Sequence, residues 1–248
     1  MLTSVHIAEI GKTGPVWRPP KSGKVAGLFR ADGGVVARLQ SAVRPQLDAG
    51  RVAMVGRWES ESSLAAFLST TPFGNGWTAR CEPIRASGQW PGVEKDLPSE
   101  RAPERDEPVI VIGQAKVNLT KSIEFSKFLA ESAGAMSGSE SLRWGCTYVG
   151  APFYGSITMW RSTAEMVRWA YEMRAGFGNT TAPLEAEVDE VPERYRDIAA
   201  FGEGGHRGAI TAMDHHKFFA SWSYVRLRPL RLTGSVTGVN ELTSRVFD

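Results

Sequence analysis

Three of the four histidines fall in one stretch, Phe201-Gly-Glu-Gly-Gly-His206-Arg-Gly-Ala-Ile-Thr-Ala-Met-Asp-His215-His216-Lys-Phe-Phe219. His206, Ile210, Met213 and Lys217 are spaced i, i+4, i+7 and i+11, one face of a helix, so an imidazole opens an otherwise apolar stripe that points inward. An inward imidazole needs a partner. Neutral imidazole is a common ligand of haem iron, and the macrocycle needs aliphatic and aromatic walls, for which Met213, Phe218, Phe219 and Trp222 are available. The plainer alternative is a hydrogen bond to a backbone carbonyl. His215 and His216 are adjacent, so they cannot both face one ion from one helix; a solvent-side pair is the simpler reading. His6 alternates with Ile7 and Ala8 in a strand pattern, which points to a core or barrel-lining place rather than to catalysis.

Other chemistries lack their signatures. Neither HExxH nor HxxEH occurs, so hydrolytic zinc is unsupported. Gly204-Gly205 has no GxGxxG or GxxxxGK[ST] around it, and no GxSxG accompanies the serines. Cys81 and Cys146 lie 65 residues apart without a CxxC, which excludes a zinc ribbon, a c-type haem attachment and a disulfide scaffold, and leaves both as small core hydrophobes.

The elements that must position these residues are organised by an internal repeat. Trp58-Glu-Ser-Glu-Ser-Ser-Leu-Ala-Ala-Phe67 aligns with Trp160-Arg-Ser-Thr-Ala-Glu-Met-Val-Arg-Trp169 at an offset of 102 residues. Arg80-Cys-Glu-Pro-Ile-Arg-Ala-Ser-Gly88 aligns with Arg226-Leu-Arg-Pro-Leu-Arg-Leu-Thr-Gly234 at an offset of 146. The second half therefore holds 44 residues, from about Tyr171 to Trp222, with no counterpart in the first, and His206 lies among them. Between the halves, residues Glu94 to Glu107 carry nine charges and two prolines, too polar for a core.

The apolar run Pro108–Val117 reads as a buried strand and Asn118 as the N-cap of a helix that ends at Gly134, with Leu119, Ile123, Phe128 and Leu129 on its stripe. Leu142–Tyr148 and Tyr154–Trp160 read as a hairpin, Ser162-Thr-Ala-Glu165 as a capping box, and Ser223–Thr233 as a final strand. The first half shows strands at Val5–Ile10, Val52–Trp58 and Trp77–Ser87 and a helix at Ser60–Ser69. Val35–Val43 fits either strand or short helix, and the prolines of Gly14–Gly23 disfavour a helix there. The expected fold is α+β, two ferredoxin-like βαββαβ repeats whose sheets face one another as a pseudo-dimeric α+β barrel with the pocket between them. The divisions are an N-terminal ferredoxin-like repeat at 1–93, a charged linker at 94–107, a C-terminal ferredoxin-like repeat carrying the expected haem site at 108–240, and a tail at 241–248.

Composition narrows the function classes. Lys plus Arg (29) against Asp plus Glu (27) gives a net charge of +2, too little field to hold a polyanion, so nucleic acid is a poor partner. No apolar run approaches the roughly 20 residues that cross a bilayer. The start, MLTSVHIAEIGKTG, lacks a basic n-region and an apolar h-region, so the expected location is cytoplasmic.

At Val55-Gly-Arg-Trp-Glu-Ser, Arg80-x-x-Pro-x-Arg-x-x-Gly-x-Trp90, Leu142-Arg-Trp-Gly with Ile157-Thr-Met-Trp160, and His206-x-x-Ala209-Ile210 eighteen residues before Tyr224, the chain resembles the spheroidene monooxygenase family, haem-containing oxygenases of carotenoid biosynthesis. The resemblance runs from about Val35 to Asn240. It implies haem b with His206 as the iron ligand and Ile210, Met213, Phe218 and Arg226 around the cofactor. Arg143, Trp144 and Tyr148, on one strand, are the distal catalytic candidates, with either parity free to face the pocket. Arg226, echoed by Arg80, either points inward to a carboxylate or propionate or joins Arg228 and Arg231 on a solvated face. Three features depart from the family pattern: the proline-rich Gly14–Gly23, the charged Thr180–Asp197, and Tyr148 where an acidic residue is expected. The expected activity is a haem-dependent, monooxygenase-like oxidation of an apolar or aromatic small molecule, drawing electrons from a donor protein. The alternatives are a haem Lewis-acid dehydratase or isomerase and a cofactor-free ligand-binding barrel. Whether the chain forms a homo-oligomer stays open.

Overall fold

The computed structural model describes residues 2–11, 17–39, 46–88, 106–137, 139–150, 153–172 and 218–236. Eight strands carry the fold: β1 (Leu2–Glu9), β2 (Leu28–Arg38), β3 (Leu47–Trp58), β4 (Trp77–Gly88), β5 (Val109–Val117), β6 (Leu142–Gly150), β7 (Phe153–Trp160) and β8 (Phe219–Thr233). They close in the order β1-β3-β2-β6-β7-β5-β8-β4, every neighbouring pair antiparallel. Three α-helices lie among the described residues, α1 (Glu61–Thr70), α2 (Ser122–Ser137) and α3 (Thr163–Glu172).

This corrects the expected fold. The molecule is one closed, eight-stranded antiparallel β-barrel, mostly sheet, and not a pair of ferredoxin-like βαββαβ repeats facing one another. The physical reason lies at the seams. β2 pairs with β6 from Val35↔Val149 to Arg38↔Cys146, and β4 pairs with β8 from Thr78↔Thr233 to Gly88↔Ser223. Those ladders satisfy the edges that two separate sheets would leave bare. Among the described residues no α-helix stands between β1 and β2, where three prolines interrupt the chain. Val35 and the residues around it are strand, resolved by pairing on both sides.

Alternation along the strands sorts side chains into a lumen and an outer face. Val5 and Ile7, Val36, Ala53 and Val55, Trp77, Ala79 and Cys81, Ile110 and Ile112, Cys146 and Tyr148, Ile157 and Met159, and Val225 and Leu227 form one packed cluster drawn from all eight strands. That cluster is the lumen. Outside the wall, Leu64 and Phe67 of α1 pack with Leu28, Met54, Trp58 and Phe73. Phe125 of α2 packs on Phe218 and Tyr154, and Met166 of α3 packs on Val109 and Trp160.

Local signals explain the helices. Ser60 caps α1 by accepting from the Ser63 amide at 3.2 Å, and Ser162 does the same for the Glu165 amide ahead of α3 at 3.1 Å. α2 departs from expectation. Asn118 makes no side-chain cap; a short 3₁₀ turn at Leu119–Lys121 comes first, and the helix continues through Gly134 to Ser137. Leu119 and Ile123, placed on the inward stripe by spacing, are 75% and 74% exposed, and Phe125 is the buried residue of that end. No helix of the described residues is long and apolar enough to cross a membrane.

Candidate functional site

The lumen has two chemically different ends. At one, Trp77 of β4 and Trp144 of β6 meet with ring centroids 6.0 Å apart. β4 and β6 stand four strands apart whichever way the barrel is traversed, so these two indoles reach each other from opposite walls and close that end. Ile7, Ile110 and Met159 surround them in the same packed cluster.

The other end is polar. The register pairs Arg30 with Arg57 and Asp32 with Val55, which places both β2 residues on the lumen side with Val55. Arg30 donates from Nε to Asp32 Oδ2 at 2.6 Å and from Nη2 to Oδ1 at 2.9 Å, a two-point ion pair. Thr3 pairs with Arg57, and both are buried. Gln114 of β5 lies level with Gly155 and Ser223, and its Nε2 donates to Tyr148 Oη at 2.9 Å. Gly155 is needed there, because a Cβ at that position would overlap the Tyr148 ring.

Burial sets the protonation states. Tyr148 is held well above the ordinary phenol range, first by burial and then by the charge of Asp32, with the Gln114 bond and Arg30 opposing. The Cys81 and Cys146 thiols, also lumen-facing, are pushed up by burial and remain protonated. Tyr148 and both thiols are therefore neutral, while Arg57, buried beside Thr3, brings a guanidinium to the same lumen.

The expected site residues divide. Trp144 and Tyr148 face the lumen, which settles the parity of their strand, and the intervening Arg143 is exposed on the other side. Arg226 alternates with the inward Val225 and Leu227 and so lies on the outer face, the second of the two placements its sequence allowed and not the one toward a carboxylate in the barrel. Arg80 is likewise outside, paired with Glu61 at 2.8 Å. Phe218 is buried outside the barrel wall against Phe125 of α2. His206, Ile210 and Met213, with His215 and His216, lie outside the described residues.

His6 is fully buried on the outer face of β1, its ring against Phe67 and Phe73. Its two nitrogens are engaged by Ser4 Oγ at 2.6 Å and Thr78 Oγ1 at 2.9 Å, and Trp58 Nε1 donates to the same Ser4 oxygen at 2.7 Å. Burial lowers its pKa to about 3, so the ring is neutral. It is a structural hydrogen-bonding group. Among the described residues no group of three or more His, Cys, Asp or Glu side chains could hold a metal ion.

Sequence reasoning missed Arg30, Asp32, Gln114, Thr3 and Ser223. Single polar residues in strands give no local signal of facing a lumen. The alternation of Asp32 with Gly34 and Val36 was the one available hint.

No family model matches the chain, and no curated protein matches it. Among solved structures it is similar to a protein of Fusobacterium nucleatum subsp. nucleatum described as a "Putative monooxygenase", at 8% identity over 94% of this chain and 94% of that one, with a TM-score of 0.35. It is also similar to an anthrone oxidase-like protein, at 12% identity over 94% of this chain and 92% of that one, with a TM-score of 0.30. At that identity and score neither likeness carries a fold or an activity over to this chain.

Proposed function

We propose that this chain is a monooxygenase-like oxidoreductase that takes a small apolar or aromatic molecule into the barrel lumen. The observation that carries the binding half of this reading is the two-ended lumen, aromatic and aliphatic at Trp77 and Trp144 and polar at Tyr148, Gln114 and the Arg30–Asp32 pair. An apolar body gains roughly 25 cal/mol for each Å² it removes from water. Polar groups at one end then fix its direction, as in most small-molecule sites.

Oxidation rests on the sequence resemblance around His206. That resemblance implies haem b, which would supply dioxygen or peroxide activation, with electrons from a donor protein. The described residues do not fit the role of iron ligand: both nitrogens of His6 are engaged, and both thiols are buried and protonated. No step is therefore routed through iron, and it is the resemblance that assigns ligation to His206. A second reading, a cofactor-free ligand-binding barrel, draws on the same lumen without that histidine.

Absorption spectroscopy of the purified protein separates them. A Soret band, native or after addition of hemin, that is lost in His206→Ala but kept in His215→Ala and His216→Ala supports the haem enzyme. A colourless protein that takes up no hemin sinks it and leaves the cofactor-free barrel. Dehydration or isomerisation without net oxidation would identify the haem as a Lewis acid instead.

A further inference from the structure

His6 closes a hydrogen-bonded group that only a neutral ring fits. Trp58 Nε1 can only donate, and it gives its proton to Ser4 Oγ; the Ser4 and Thr78 hydroxyls take the two ring nitrogens. In either tautomer of the neutral ring, one nitrogen accepts a hydroxyl proton and the other donates. An imidazolium donates from both, so the hydroxyl that had been giving to the ring would lose its acceptor inside the protein. No charge at hand offsets that. The groups facing the ring are Ser4 of its own strand, Met54 and Trp58 of β3, Thr78 of β4, Phe67 of α1 and Phe73 of the 3₁₀ turn Pro72–Asn75, all of them uncharged. The ion pair that ties α1 to the wall, Glu61 with Arg80, sits at the exposed start of the helix.

What shuts water away from the ring is separable from the barrel. α1 and the 3₁₀ turn lie between the end of β3 at Trp58 and the start of β4 at Trp77, so they can leave the wall without breaking any strand ladder. Leu64 and Phe67 of the helix and Phe73 of the turn are their buried side chains. A helix of ten residues is marginal by itself and keeps its place through such packing. Segments with few buried apolar contacts open at a lower free energy than the whole fold. Phe67 and Phe73 are also the rings set against His6, with centroids 6.3 and 5.5 Å from it, so lifting the segment uncovers the imidazole.

We propose that α1 and the turn after it form an acid-released cover: they come off the wall as one unit while the barrel stands, and a proton taken up by the uncovered His6 keeps them off. The enclosed ring stays neutral down to about 3, whereas a ring in water takes its proton below about 6.5. Acid therefore favours the open form across that window, raising its population by about tenfold for each pH unit below 6.5. Opening bares Met54 and Trp58 of the outer wall together with the apolar face of the helix.

Native-state amide hydrogen exchange of the full chain, corrected for intrinsic rates, tests this at pH 7 and 5. The Phe67 and Leu68 amides should be less protected than the strand amides of β5 and β7 at both pH values, and their opening should depend little on added urea. That opening should grow by about 25-fold from pH 7 to pH 5, and His6→Gln should flatten the growth. Should His6→Gln fail to fold, the wild-type profile decides, with a break near about 6.5 and a slope of one proton below it. Equal protection of α1 and the strands means that only the whole barrel opens, and overturns the separable cover. An opening that stays constant from pH 7 to 5 in the wild type, or grows equally in His6→Gln, overturns the part given to His6.

Discussion

Tyr148 and His6 show how one solvent-free environment gives two residues different work. Tyr148 faces the lumen and has Gln114 as its partner, so Tyr148→Phe would strand a buried amide. The expected loss is about 1–3 kcal/mol of unfolding free energy, read from urea denaturation, with the barrel otherwise intact. Gly155→Ala should cost as much or more, because the added methyl displaces the Tyr148 ring. His6 makes acid the sensitive direction. Its unfolded ring takes a proton below 6.5 while the folded ring stays neutral down to about 3. The unfolded state therefore binds more protons across that window, and stability falls as pH falls, by up to about 1.4 kcal/mol per pH unit. Urea midpoints of the wild type and His6→Gln between pH 7 and 5 check this; the wild type should lose more. That His6 belonged to the core was readable from its alternation with Ile7 and Ala8. Which of the two faces of its strand it occupied was not, since both are buried and periodicity labels neither.

Strands and helices were legible where short-range chemistry specifies them. Ser162, three residues before Glu165 and ahead of an apolar stripe, is a cap in the sequence and a cap in the structure. Ser162→Ala should destabilise by about 1 kcal/mol, seen as a lower urea midpoint with unchanged slope. The helix after Asn118 was less well read. Asn118 is a plausible cap by type, but the 3₁₀ turn that follows rotates the stripe, so Leu119 and Ile123 end in solvent and Phe125 goes in. Strand parity at Leu142–Gly150 was hidden for a related reason: Trp144, Cys146 and Tyr148 alternate with Gly145, Thr147 and Val149, and both sets can be buried. Only cross-strand partners, Ile157 and Gly155 among them, decide it.

At the scale of the whole molecule, the spacing of the aligned sequence blocks and the closure in space meet at one residue pair. Glu82 and Arg228, separated by the repeat offset of 146, are register partners at the β4–β8 seam, and Arg228 Nη1 donates to Glu82 Oε2 at 3.1 Å. Both are partly exposed, so the pair contributes little, typically 0–1 kcal/mol. Glu82→Gln should accordingly shift the melting temperature by no more than a few degrees, because the backbone ladder holds the seam. Sequence spacing brought out the similar blocks of the two halves but not the joining of those halves into one wall, since strand edges meet through backbone groups that every residue carries. The contact of Trp77 with Trp144 then has a spectroscopic use. One indole comes from each half of the sequence, and rings this close couple their excited states, so the near-ultraviolet circular dichroism should hold a paired signal that Trp144→Phe abolishes. In a refolding experiment that signal would appear only once the two halves of the chain had joined, and would time the event without an added label.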